Sequence, residues 1–419
     1  MERKVEMKTV IEAIRGREIL NSRGKPTVEV VMKCSNGACV TASVPSGAST
    51  GKYEALEIYD GGERYRGFGT KKAAANVTET IAPHLLGMDV TDQRRIDQVL
   101  IDLDGTKQKS HLGGNAILGV SMAAARAGAE AVGLPLYRYL GGLRATRIPN
   151  VMSTVISGGA FSPSGLEFED YLLVLEGFDS FKDQVEAISG IRWHLEKQCK
   201  TKYGPIAEDG GALAPPLGNT KVAFENMLDA ARRVGCEDKV RLGLDVAANE
   251  LYREDKGIYE MTCGVMEPEA LLEYYIQLTK DYPLIYIEDA FHEDDWTSFT
   301  KLTEALSDME IVGDDLFATN SERLQKGIQL KAANTLLFKV NQIGTVTEAL
   351  KTAQTATNNK YEIVASLRSG ETNDVFQADL AVAVGAKRMK LGSPVRGERN
   401  GKYNRLMAIE EEILMKDCQ

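Results

Sequence analysis

Four short apolar runs set the pattern between Val240 and Thr345. They read Val-Arg-Leu-Gly-Leu-Asp245, Leu-Ile-Tyr-Ile-Glu288, Met-Glu-Ile-Val-Gly-Asp314 and Thr-Leu-Leu-Phe-Lys339, each ending on an ionisable residue. Runs this short, bounded by polar turns, predict strands buried on both faces. The segments between them carry helical signals. That is βα repetition, which predicts parallel strands joined by right-handed crossovers. Ile363-Val-Ala-Ser-Leu367-Arg368-Ser369 and Arg388-Met-Lys390-Leu extend the series. Helices are predicted over 179–203 and 220–234, with an acidic closing helix over 407–416.

The first 62 residues read differently. Thr27-Val-Glu-Val-Val-Met-Lys alternates, and Cys39-Val-Thr-Ala-Ser-Val resumes after a Ser35-Asn-Gly turn, which predicts a hairpin. The loop Pro45-Ser-Gly-Ala-Ser-Thr-Gly51-Lys fails the phosphate-loop spacing, since only three residues separate Gly47 from Gly51. It reads as a mobile lid or as an ordinary hairpin exit. From Lys71 to Gly142 the pattern is helical, and Leu134-Pro-Leu-Tyr followed by Gly141-Gly142 closes the segment. Strands followed by helices make residues 1–142 an α+β domain; residues 143–419 are the barrel domain.

In a parallel barrel the C-terminal strand ends open on one face. Asp245, Glu288, Asp314 and Lys339 would meet there. Three carboxylates can hold a hard divalent cation, Mg²⁺ above all. A lysine beside such an ion is pushed toward its neutral form and can act as a general base. The competing explanation is that acids after strands merely cap the next helices. One acid supports either; three acids and a lysine at matching positions favour a site.

Composition narrows the partners. The 419 residues carry a net charge of −10 and a pI near 5.2, which excludes a general nucleic-acid binder. An anionic substrate would need locally placed cations. The six cysteines show no C-x-x-C pair and read as cytosolic free thiols, and there is neither a signal peptide nor an apolar run of membrane length. The expectation is a cytoplasmic protein.

These residues carry a resemblance. Ser22-Arg-Gly-Lys-Pro-Thr-Val-Glu-Val, Ser46-Gly-Ala-Ser-Thr-Gly, Gly114-Asn-Ala-Ile-Leu-Gly-Val-Ser, Gly243-Leu-Asp, Ile287-Glu-Asp-Ala-Phe-His, Lys339-Val-Asn-Gln-Ile-Gly-Thr, Ser366-Leu-Arg-Ser-Gly-Glu-Thr and Lys390-Leu-Gly-Ser-Pro follow one another as in the enolase family. The chain resembles that family over nearly its whole length. The resemblance implies an α/β fold, an irregular (β/α)8 TIM-like barrel capped by the N-terminal α+β domain. It implies two Mg²⁺ per active site, on Asp245, Glu288 and Asp314, with Ser49 of the lid joining the second ion. It makes Lys339 the base that takes a proton α to a carboxylate. Lys390 would hold that carboxylate, and Arg368 and Ser369 would grip a phosphate. The implied partner is a small anionic carboxylate/phosphate substrate, and the implied assembly a homodimer or larger homo-oligomer.

The chemistry explains the residue types. A proton α to a carboxylate is very weakly acidic, and its loss leaves a dianion that only concentrated positive charge can stabilise. An acid on the other face must protonate the leaving hydroxyl.

The chain departs from the family on that acid side and at the phosphate. Phe161 and Leu367 stand where the family has histidines. Glu169-Asp170 replaces Gln-Glu, and Glu208-Asp209 replaces Asp-Glu, so Asp170 and Asp209 are the candidate acids and Glu169 and Glu208 the fallbacks. Asn21 replaces an acid before Ser-Arg-Gly and points to an altered subunit contact. Because the base and metal residues are untouched, the changes predict a carbon–oxygen lyase acting on a modified substrate. The family's carboxyphosphonoenolpyruvate-forming branch illustrates such a pocket. The alternatives are an ordinary phosphopyruvate hydratase and a non-catalytic enolase-fold binding protein. His292 reads as a loop residue rather than a replacement imidazole, and Trp296 as core.

Overall fold

The computed structural model describes residues 9–47, 50–159, 162–262 and 264–417. They form two compact units. One holds the chain up to Ala145 together with 339–351 and 368–384; the other holds Thr146–Phe338, Thr352–Leu367 and everything from Gly385.

The first unit is built on an antiparallel sheet of Ile11–Leu20, Pro26–Cys34 and Cys39–Ser43 in sequence order. The predicted hairpin is its second half, turned at Gly37 with φ 88°. Helix Gly114–Ala131 is almost wholly buried. Its Gly119 lets it approach the sheet, since a Cβ there would stand 2.7 Å from a Val30 methyl. This helix is a core element: among the described residues no single helix is long and apolar enough to cross a membrane. Helix Gln93–Asp104 starts at an Asp92 cap that accepts from the Arg95 amide and ends at left-handed Gly105. The later segments join by hydrogen bonds: Ser46 and Gly370 exchange both backbone bonds, and Ala55 donates to the Gln342 carbonyl at 2.7 Å.

The second unit is a closed barrel. Its strands are Asn150–Ser157, Asp170–Leu175, Val240–Asp245, Leu284–Glu288, Glu310–Gly313, Thr335–Phe338, Glu362–Ser366 and Arg388–Lys390, and the last pairs with the first. The four strands of the central pattern are parallel neighbours, as predicted. The second strand differs: it runs antiparallel to both neighbours. The described residues of the 158–169 connection form no helix to carry the chain back across the sheet, and the strand returns antiparallel to its predecessor. Helices Phe181–Tyr203 and Thr220–Val234 follow, capped by Ser180 and Asn219. A small sheet of Tyr252–Arg253, Ile258–Met261 and Gly264–Met266 is an addition the apolar pattern did not predict.

The barrel interior is layered. Met152, Leu172, Val174, Tyr286, Val312, Leu337 and Val364 fill its middle, all fully buried. Below them, at the strand starts, the 1%-exposed Arg388 guanidinium donates to Glu310 at 2.9 Å and to Glu176 at 2.6 Å. Lys387 adds a contact to Glu310 at 2.6 Å. Burial alone would raise the Glu310 carboxyl, but the bonds and charges of Arg388 and Lys387 outweigh it and hold the carboxyl below its ordinary value. Breaking such a pair leaves a buried charge uncompensated. Arg388→Met should therefore lose about 3–5 kcal/mol of stability in urea unfolding at neutral pH. Because a depressed carboxyl stabilises only while ionised, the deficit should shrink as pH falls through the Glu310 pKa.

Candidate active site

The C-terminal strand ends of the barrel converge on Lys390. Asp245 ends the third strand and Glu288 the fourth, and the two are register partners. Asp170 starts the antiparallel second strand and pairs with Asp245 from the other side. Lys390 ends the last strand, next to Met152 and Ser366. Its ammonium lies 2.6 Å from Asp245 Oδ2, 3.0 Å from Asp170 Oδ2 and 3.1 Å from Glu288 Oε2. Burial would lower the Lys390 pKa, but Asp245, Glu288 and Asp170 together lift it well above that of a free lysine. Lys390 is a permanent cation.

Asp314 follows the fifth strand and belongs to a second group. Asp289, Asp314 and Asp315 offer carboxylate oxygens within 4.8 Å of one another. Asp289 has a left-handed φ of 44° and accepts from the Asp314 and Asp315 amides, both at 2.9 Å. Each of its oxygens thus braces one amide of the loop that carries Asp314. Burial first, then the charges of Asp315, Asp314, Asp245 and Glu288, push its carboxyl well above the usual range. Hard oxygen donors in such excess over Lys390 suit a divalent cation. Asn249 ties Asp315 at 2.8 Å, and Tyr286 donates to Glu288 Oε2 at 2.6 Å.

Asp209 lies on the short strand Ala207–Asp209, paired with Ala212–Ala214, whose Leu213 joins the first barrel strand. Its neighbour Glu208 is held by Arg192 at 2.9 Å. Leu367 is buried and donates its amide to the Lys390 carbonyl at 3.2 Å. His292 lies against the Tyr252 ring, with centroids 4.6 Å apart. Trp296 is 8% exposed and packs on Phe317. Ser49 and Phe161 lie outside the described residues.

The first unit carries the rest. Lys339 directly follows the sixth barrel strand and starts the turn Val340–Ile343. Buried Arg368 donates to both oxygens of Glu54, at 2.9 and 3.3 Å, and its amide donates to Glu371. The Ser369 carbonyl accepts from Ser22 and Arg23. Asn21 is buried within this unit and bonds Ser46 and the amides of Arg23 and Lys25.

Sequence reasoning missed Asp289, Tyr286, Glu54 and Glu57. The Glu288-Asp289 and Asp314-Asp315 pairs and a tyrosine inside an apolar run were the available signals. Glu57 accepts from the Tyr59 hydroxyl at 2.8 Å. Burial pushes its carboxyl up to about 7, with the Tyr59 bond and Arg368 opposing.

Carboxylates and a buried lysine gathered at one barrel mouth make a donor set suited to a divalent cation. The comparisons name the family. Residues 11–140 match the model described as "Enolase, N-terminal domain", and residues 145–417 match "Enolase, C-terminal TIM barrel domain". The chain belongs to the enolase family. It is 47% identical over 409 residues to a protein named Enolase from Methanopyrus kandleri, covering 96% of each chain. It is likewise 47% identical to Enolase from Pyrococcus furiosus, over 96% of this chain and 95% of that one. Enolase from Methanothrix thermoacetophila is 46% identical over 97% of each. The family implies a divalent metal and a small phosphorylated carboxylate substrate.

Glu57 gives a signed pH dependence. A carboxyl raised on folding holds its proton where the unfolded chain has lost it, so stability falls as pH rises from about 4.3 toward 7 and is level above. Glu57→Gln removes this loss. The melting temperature of the variant relative to the wild type should rise between pH 5 and pH 8, read by differential scanning calorimetry.

Proposed function

We propose that the chain catalyses the Mg²⁺-dependent, reversible dehydration of 2-phosphoglycerate to phosphoenolpyruvate, the phosphopyruvate hydratase step of glycolysis. The observation that carries this is near-full-length relatedness, at 46–47% identity, to proteins named Enolase. It replaces the modified-substrate reading of the sequence. The shortened acids keep their charge, and Asp170, one methylene shorter, still places its carboxylate 3.0 Å from Lys390. Loss of a methylene has not emptied that position.

Lys339 takes the α-proton on its Nζ. Lys390, held as an ammonium, balances the charge that grows on the substrate carboxylate. Asp209 or Asp170 returns a proton to the leaving hydroxyl. Arg368 has five N–H donors, enough to hold a phosphate beside Glu54, with Ser369 as a second donor and Leu367 and Phe161 as lining. Asp245, Glu288 and Asp314 would hold one Mg²⁺, and Ser49 would take part in a second. When bound, these ions supply fixed positive charge for the developing dianion. Assembly as a homodimer or larger homo-oligomer and residence in the cytoplasm complete the proposal.

The test is 2-phosphoglycerate with Mg²⁺, followed by the ultraviolet absorbance of the product. Turnover of about 1–10³ s⁻¹ is expected. Chelation should abolish it, and Lys339→Ala should lower kcat at least about 10²- to 10⁴-fold without changing the melting temperature. A folded, Mg²⁺-binding protein that leaves 2-phosphoglycerate untouched would return the modified substrate to first place. Failure to exchange the α-proton of any candidate acid in heavy water would favour a binding protein.

A further inference from the structure

We infer that Arg192 is a positioning residue for the acid step: it clamps the turn that carries Asp209 and so fixes where that carboxyl can meet the leaving hydroxyl. The inference rests on the reading of Asp209 as the proton donor, and deepens it.

Asp209 ends one arm of a very small hairpin. Ala207–Asp209 and Ala212–Ala214 pair antiparallel, with Gly210-Gly211 as the turn between them. The register pair Ile156–Leu213 ties the hairpin to the barrel. A hairpin this short is marginal by itself. Its turn cannot be stiffened from within. Both glycines have left-handed φ, 57° and 96°, which glycine alone adopts without strain. A Cβ on Gly211 would also stand 2.7 Å from a Val395 methyl. Glycine has the greatest backbone freedom, so the turn needs a brace from outside.

Arg192 supplies it. It projects from the 23-residue helix Phe181–Tyr203 and is 2% exposed. Its Nε and Nη2 both donate to the Gly211 carbonyl, at 3.3 and 3.1 Å. Nη2 also donates to Glu208 at 2.9 Å, and Nη1 donates to Glu196, one helical turn on, at 2.8 Å. The guanidinium thus grips the residue before Asp209 and the turn after it, while Glu196 steadies its plane. A planar fork of donors can do this; the point charge of a lysine cannot. Successive strand residues face opposite sides. With Glu208 turned to Arg192, Asp209 faces the other way, which separates the candidate acid from its fallback.

The order of the chemistry gives the clamp its purpose. Lys339 has already taken the α-proton when the acid acts. The electron pair left behind forms the carbon–carbon double bond as the β carbon–oxygen bond breaks, and the Asp209 proton leaves with the hydroxyl as water. An acid displaced by about 1 Å slows that step about 10²-fold and leaves the earlier proton removal alone.

The experiment compares the wild type, Arg192→Lys and Asp209→Asn on 2-phosphoglycerate with Mg²⁺. Dehydration is read from product absorbance, and proton removal from exchange of the α-proton in heavy water. Arg192→Lys should lower kcat for dehydration about 10- to 100-fold while KM and the exchange rate stay within about threefold, so exchange per dehydration rises about tenfold or more. An unchanged ratio, whether both rates hold or both fall together, overturns the inference, because general loosening slows both steps alike. Asp209→Asn separates the two levels: wild-type dehydration in that variant defeats the acid assignment itself. Should Arg192→Lys fail to fold, Glu208→Ala removes one arm of the clamp at an exposed position. It should raise the same ratio about threefold, and an unmoved ratio there also overturns the inference.

Discussion

The ammonium of Lys390 among Asp170, Asp245 and Glu288 is the contact on which the barrel mouth depends. Three carboxylates this close repel one another, and each resists burial. A single cation at about 3 Å from each makes their assembly tolerable, and their combined field keeps that cation charged. The three acids come from adjacent strands, and Lys390 reaches them because the last strand closes the barrel on the first. Closure and chemistry are thus the same event at this mouth. The carboxylate surplus that remains, concentrated around Asp289, Asp314 and Asp315, is what a divalent ion would offset.

Much of this was legible in the chain. Val240–Asp245 and Leu284–Glu288 occur as strands over the residues the apolar runs mark, because strands buried on both faces need uninterrupted apolar sequence. The direction of Asp170–Leu175 was not legible. An apolar run reads the same whichever way its strand points, and only the connection before it decides. The bracing residues were also hidden. Glu54 meets Arg368 from more than three hundred positions away, and Asp289 acts through backbone amides that no spacing rule anticipates. The Glu288-Asp289 pair did mark a dense acidic point, yet nothing local told the ligand candidate from the brace.

Assembly of the first unit shows the same division. Its hairpin is local and follows from the Asn-Gly turn. Its later segments, 339–351 and 368–384, are fixed by contacts such as Ser46 with Gly370 and Lys109 with Glu348. Lys339 and Arg368 begin those segments. Residues read as barrel-strand exits are therefore held by a framework laid down at the other end of the sequence.

The closing strand, Arg388–Lys390, has three residues and few ladder bonds with which to resist sliding. Its outer positions carry unlike cations, each seated in its own nest of acids at opposite ends of the barrel. A slip of one residue would turn Met389 inward and strand both nests; a slip of two would bring a guanidinium to the place shaped for an ammonium, or the reverse. The seam of the barrel is indexed by charge, like a key cut differently at its two tips.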